Sequence, residues 1–184
     1  LQRQFCDVEF VDDGGWQALH MAVLNGREAV VKLLLDSNKV NVNAIFGGYT
    51  PLCLAAQNGR VAVVKLLVDT NKVDVNAASR GYTPLSWAAQ RGYGAVVNLL
   101  LDTQKANVNA KTANGWTPLS LAVQKGYEAV VKLLLDTNEV DVNAKTADGW
   151  TPLSLAAQNS HEAVVKLLLN IDKVDVNAKT NDGW

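Results

Sequence analysis

The sequence predicts an all-α protein built as a stack of helix pairs, and three observations carry that expectation. Three blocks recur in fixed order along the 184 residues, at steps of 33 or 34. Four of the recurring units open on Thr-Pro followed by a short apolar run, which is a helix start. The block Ala-Val-Val-Lys-Leu-Leu-Leu spreads apolar side chains over an arc of about 200°, too wide for a helix that covers one core from one side. A single unit cannot hide such a face, whereas stacked units can.

Each unit opens on Gly-aromatic-Thr-Pro-Leu. Its glycines are Gly48, Gly81, Gly115 and Gly149, with a degenerate copy at Gly15-Trp16-Gln17-Ala18-Leu19 and a last one begun at Gly183-Trp184. The steps are 33, 33, 34, 34 and 34 residues. At Thr50-Pro51, Thr83-Pro84, Thr117-Pro118 and Thr151-Pro152 the hydroxyl is expected to cap a helix, with Pro where its missing N–H is not needed. A short first helix follows, such as 52–57. Gly26, Gly59, Gly92 and Gly126 supply the left-handed residue that ends it. The fifth unit has Ser160 there, at an expected cost of about 1 kcal/mol. The second helix takes the apolar block at 29–35, 129–135 and 163–169. Val30, Leu33 and Leu34 share one face, Val31 and Leu35 widen it, and Lys32 takes the remainder. A third block, Val-Asn-Val-Asn-Ala or its variants, closes the unit at 40–44, 73–77, 106–110, 140–144 and 174–178. The repeats therefore span 15–47, 48–80, 81–114, 115–148 and 149–182, with 183–184 opening a further one. The third is the expected weak point. Gly94 stands where other units carry Glu128 or Glu162, and Ala106 replaces a valine, each costing about 1 kcal/mol.

Composition narrows the function. Apolar residues make up 48%, enough for a core, and 17 basic against 18 acidic residues leave a formal charge of −1. That balance argues against a nucleic-acid footprint, which needs a basic stripe. Cys6, Cys53, His20 and His161 are too scattered for a metal site or a disulfide framework and fit a reducing, cytoplasmic setting. No uncharged apolar run approaches the roughly 18 residues of a membrane span. The first residues carry acids where a signal peptide has its apolar core.

These residues resemble ankyrin repeats. The family pattern stands here as Gly115-Trp116-Thr117-Pro118-Leu119-Ser120-Leu121-Ala122-Val123, then Gly126, the run 130–135 and Asp141-Val142-Asn143-Ala144. The resemblance covers residues 15–182. It implies antiparallel helix pairs in a curved solenoid, β-turn fingers along one edge, and protein binding through the concave and finger surface. Three departures stand out. The family's frequent His after Leu is kept at His20 and replaced by Cys53, Ser86, Ser120 and Ser154. The loop before Asp-Val-Asn is one residue longer, as at Asn71-Lys72-Val73. Two fingers, 45–47 and 78–80, are one residue short. The phrase Asp-Thr-x-Lys-Val-Asp-Val-Asn-Ala-Lys-Thr is similar to near-identical arrays of fungal signalling proteins, where such repeats follow a nucleotide-binding domain. Cys6-Asp7-Val8-Glu9-Phe10 falls in phase with 140–144, so 1–14 reads as the tail of a preceding repeat and the intact protein is expected to be longer. Asn143 and Asn177 resemble the substrate pattern of asparaginyl hydroxylases that act on ankyrin repeats; each is also expected to hold its loop by side-chain to backbone bonds.

No phosphate-cradling loop, nucleophile elbow or metal-ligand run occurs, so neither an enzymatic activity nor a cofactor is expected. His20 and His161 stand where the family places structural histidines, and nothing near Cys53 in sequence would activate its thiol. The candidate binding feature is an aromatic ladder: Trp16, Tyr49, Tyr82, Trp116, Trp150 and Trp184, one ring after each finger glycine. Such rings supply binding area at low entropic cost, or they stiffen the array by packing on neighbouring fingers. Arg80, Trp87, Arg91 and Lys125 break the regularity in the middle. The expected partner-binding residues are Tyr49, Tyr82, Arg91, Trp116, Lys125 and Trp150. The expected partner is a protein. End-to-end self-association through uncapped ends is the alternative, and a small molecule or nucleic acid a remoter one.

Overall fold

The computed structural model describes residues 16–183, with side chains from Ala18 onward. The tail of a preceding repeat expected over 1–14, Gly15, the Trp16 ring and Trp184 lie outside the described residues. Within them are ten helices in five pairs: α1 (Trp16–Leu24), α2 (Glu28–Asp36), α3 (Pro51–Gln57), α4 (Val61–Asp69), α5 (Pro84–Arg91), α6 (Gly94–Asp102), α7 (Pro118–Gln124), α8 (Glu128–Leu135), α9 (Pro152–Gln158) and α10 (Glu162–Leu169). Short turns join the two helices of a pair, so they run antiparallel. Each odd helix packs on its even partner and on the odd helices of adjacent pairs, and the even helices form a second row. The odd row is packed more tightly than the even row, which bends the stack toward the odd helices.

The Thr-Pro starts behave as their chemistry requires. Oγ1 of Thr50, Thr83, Thr117 and Thr151 accepts from the backbone N–H three residues on, each at 3.2 Å, with Pro in the first turn. The first unit has Gln17-Ala18 instead. With no Pro to push the preceding residue out of helical space, α1 starts earlier, at Trp16.

The turn between paired helices is the closest joint of the stack. Gly26, Gly59, Gly92 and Gly126 have φ of +63°, +64°, +74° and +69°. The residue that follows the equivalent turn position of the next repeat (Arg60, Tyr93, Tyr127 or His161) lies over it. A Cβ on Gly92 would sit 2.9 Å from the Tyr127 ring, and one on Gly126 would sit 2.6 Å from His161. Glycine is thus required twice, by backbone and by space. Ser160 takes the same left-handed conformation at φ +56°.

Three copies of one heptapeptide measure the stacking directly. In α8, Val130, Val131, Leu134 and Leu135 are all buried. In α2 the same string leaves Val30 46% and Leu33 71% exposed, and in α10 it leaves Leu169 52% exposed. The wide arc is shared between two neighbours, and each end of the described array lacks one.

On the outer loops an asparagine ladder ties every repeat to the next. Asn43 Nδ2 donates to Lys72 O at 2.9 Å while its Oδ1 accepts from Asp74 N at 2.8 Å. Asn76, Asn109 and Asn143 repeat this pair of bonds. The expectation of a bond within each loop is therefore shifted one repeat along. Bonds within the loop are made by the second residue of the block, as when Asp141 Oδ1 accepts from Asn143 N at 3.1 Å.

Candidate partner-binding face

Fingers and odd helices together line the inner side of the curve. Finger length decides finger geometry. Phe46-Gly47-Gly48-Tyr49 and Ser79-Arg80-Gly81-Tyr82 are two-residue hairpins, each closed by an isolated antiparallel bridge. Both central residues have positive φ, +59° and +82° in one, +52° and +80° in the other, as a type I′ turn demands. The longer fingers need one such residue. Thr112 N donates to Trp116 O at 2.9 Å and Gly115 N to Thr112 O at 2.9 Å, with Gly115 at φ +75°. This is a three-residue loop ending on a left-handed glycine.

The residue after Leu in the odd helix holds the fingers in two ways. His20 Nε2 lies 3.1 Å from both Ala44 O and Tyr49 O; two carbonyl partners mean that this nitrogen carries the proton. Cys53 Sγ does the same across the next joint, donating to Ala77 O at 3.1 Å and Tyr82 O at 3.7 Å. Burial pushes the Cys53 thiol up, so it stays protonated and donating. Ser86 and Ser120 are too short to reach the next finger. Each instead pairs with the Thr of its own helix cap at 2.9 Å, and Ser154 bonds back to Thr151. His161 is structural as well, with Nε2 3.1 Å from Gln124 O in the preceding repeat.

The expected ladder residues occupy this inner side. Tyr49, Tyr82, Trp116 and Trp150 are half-buried, their rings packed against the apolar core. Two of them are brought together by a residue outside the expected set. Trp87, buried on α5, has its ring 4.6 Å from Tyr82 and 6.0 Å from Tyr49, and its Nε1 donates to Ser79 O at 3.3 Å. Arg80 lies over the Tyr49 ring, 4.8 Å from its centroid, and donates to Gly47 O at 3.2 Å. Trp116 and Trp150 stay apart from this cluster; each is held by its backbone N–H to Thr112 or Thr146 Oγ1 at 3.1 Å. Arg91, in the last turn of α5, and Lys125, the C-cap of α7, are exposed. Among the described residues neither side chain has an ion-pair or hydrogen-bond partner. They stand at equivalent places of adjacent repeats. The irregularity of Trp87 was visible in the sequence, since three other repeats carry Leu there (Leu54, Leu121 and Leu155); its contacts to two neighbouring fingers were not.

Charge is distributed unevenly. The odd helices contain no Asp or Glu, and neither do the first three fingers; every even helix carries at least one acid. A groove of about 710 Å³ on the outer side, at the starts of α2, α4 and α6, gathers Glu28, Arg60, Lys65 and Asn98 around an apolar floor, with no histidine or cysteine in its lining. No helix of the described residues is long and apolar enough to cross a membrane.

Comparison with known proteins bears on the whole array. A family model of ankyrin repeats, in three copies, matches residues 38–112 and again 104–180. A model of the single ankyrin repeat matches 14–45. No curated protein matches the chain.

Proposed function

The chain belongs to the ankyrin-repeat family, and from that premise we propose that it is a non-enzymatic recognition module that holds a protein partner on its concave and finger surface. One observation carries the reading. Arg91 and Lys125 stand exposed and unpartnered at the ends of helices whose preceding fingers carry half-buried rings packed against the core. Aromatic rings pre-ordered by packing, with Arg close by in the sequence, are the residue types that dominate interface energetics. The recognition residues are Tyr49, Tyr82, Arg91, Trp116, Lys125 and Trp150, with Trp87 positioning the first two. The loop phrase, similar to that of fungal signalling arrays, is what favours a place as the recognition arm of a larger signalling protein. The scattered pair of cysteines in the sequence fits a cytoplasmic one.

A pull-down comparing the wild-type protein with an Arg91→Ala/Trp116→Ala/Lys125→Ala variant of equal helicity tests this. A partner kept by the first and lost by the second is the expected result; identical captures would return the ladder to a purely scaffolding role. A second reading is end-to-end self-association, favoured by exposed Val30 and Leu33 at one end and Leu169 and Val176 at the other. Sedimentation equilibrium would then give a mass that rises with concentration and falls to the monomer in Leu33→Lys.

A further inference from the structure

We propose that the partner engages this face through an acidic, extended polypeptide segment. The inference rests on the partner-binding reading and adds the chemistry of what is bound. A formal charge of −1 conceals a segregation by side. From 44 to 59, 77 to 92 and 110 to 126, the fingers and odd helices of the middle repeats carry Arg80, Arg91, Lys111 and Lys125 and no acid. Apart from Asp148 at a finger tip, the acids of those repeats lie on the even helices and outer loops, away from the curve. Positive charge on one side of a low-dielectric wall attracts a negative ligand and repels a positive one, which sets encounter rate and partner choice.

The cations are also spaced for an extended chain. Arg91 and Lys125 repeat at one unit's distance, so they sit about 10 Å apart, the usual separation of packed helices. An extended chain rises about 3.3 Å per residue, so roughly every third side chain meets a new repeat. Gln90 and Gln124, next to Arg91 and Lys125 in sequence, are half-buried amides that can bond the backbone of such a chain. Nucleic acid fits less well. The rings pack against the core instead of offering free faces for base stacking, and Asp148 and Asp182 stand at the tips of the last two fingers. Phosphate tracking draws on more cations than this face supplies.

The test is selection from a displayed library of random peptides of about sixteen residues, long enough to cross several repeats. The full chain is the bait at about 0.15 M salt. Selected peptides are expected to be enriched in Asp and Glu over the starting library. Their affinity is expected to fall at least about tenfold against Arg91→Glu/Lys125→Glu and to change less than about twofold against Lys65→Glu/Lys132→Glu, which moves the same charge on the outer helices. Neutral peptides that still depend on Tyr82 and Trp116 would overturn the acidic chemistry and leave partner binding standing. Peptides indifferent to every inner-face variant, or no enrichment at all, would overturn both. Tighter binding of a random-sequence RNA oligonucleotide than of any peptide, lost in Arg91→Glu/Lys125→Glu, would overturn the proposal in favour of nucleic acid.

Discussion

The first fingers and the last fingers are fastened by different means. Between the first repeats the tie is made by side chains. His20 and Cys53 reach across to the carbonyls of the next finger, Arg80 reaches back to Gly47, and Thr50 N donates to Ser79 Oγ at 3.0 Å. Between the last repeats backbone bonds are added: Ala147 N donates to Asn114 O at 2.9 Å and Asn181 N to Asp148 O at 3.2 Å, the second joint being held as well by Asn181 Nδ2 donating to Ala147 O at 2.8 Å and Lys145 Nζ to Lys179 O at 2.9 Å. One residue makes the difference. The longer finger projects far enough for its tip to meet its neighbour, and the side chain beneath is then free to shrink to serine and serve its own helix cap. A one-residue change in a loop therefore reassigns the role of a residue on the adjoining helix.

The comparison can be broken most sharply at the finger glycines. A Cβ on Gly115 would sit 2.9 Å from Ala147 N, a backbone atom, whereas one on Gly81 would meet nothing within 4 Å. Both residues have positive φ. Gly81→Ala should cost about 1 kcal/mol, the conformational part alone, and Gly115→Ala about 3 kcal/mol, measured by urea unfolding of both variants. Equal losses would mean that the backbone tie is dispensable.

The helix residue below the finger gives the next largest effect. His20→Ser removes the donor of two carbonyls and leaves a cavity, at about 2 kcal/mol. Ser120→Ala keeps the Thr117 cap on the backbone and should cost about 0.5 kcal/mol. A Ser120→Ala loss as large as that of His20→Ser would contradict the division between the two ends.

Between the two regions lies the third repeat. Gly94 starts α6 without positive φ, and a Cβ there meets only Leu133 at 3.8 Å, an ordinary contact. Gly94→Ala should stabilise by about 0.5 kcal/mol, and hydrogen exchange should slow most in α5 and α6 if opening begins there. The smallest effect is alkaline. Because burial raises the Cys53 thiol, the unfolded chain loses that proton first. The contribution is fully present below about pH 8.5 and declines as pH rises through the folded-state value. Cys53→Ser should flatten that part of the stability profile relative to wild type.

Most of the fold was legible before any coordinates. Thr-Pro starts, left-handed glycines and the doubly shared apolar arc are local signals, and each requires only the residues that carry it. The fingers were half legible: their lengths were countable, and Gly47-Gly48 and Arg80-Gly81 are compatible with a turn that needs two left-handed residues. The inner face was legible as positions but not as contacts. Which ring Trp87 meets, or whether Asn143 bonds its own loop or the next, depends on distances between repeats, and near-identical repeats give near-identical local signals. Charge segregation was hidden for the opposite reason, since summing over the chain cancels it.

Ser160 has a consequence for how such an array can grow. Tandem arrays lengthen when a unit is copied in place. A copy of any of the first four repeats brings its own glycine to lie beneath the next unit's side chain. A copy of the fifth would bring a serine, and its Cβ would meet a Tyr or His ring where Gly92 and Gly126 now leave room. Duplication that keeps these rings should therefore run through the first four units, and the fifth should be copied only where residue 160 reverts to glycine.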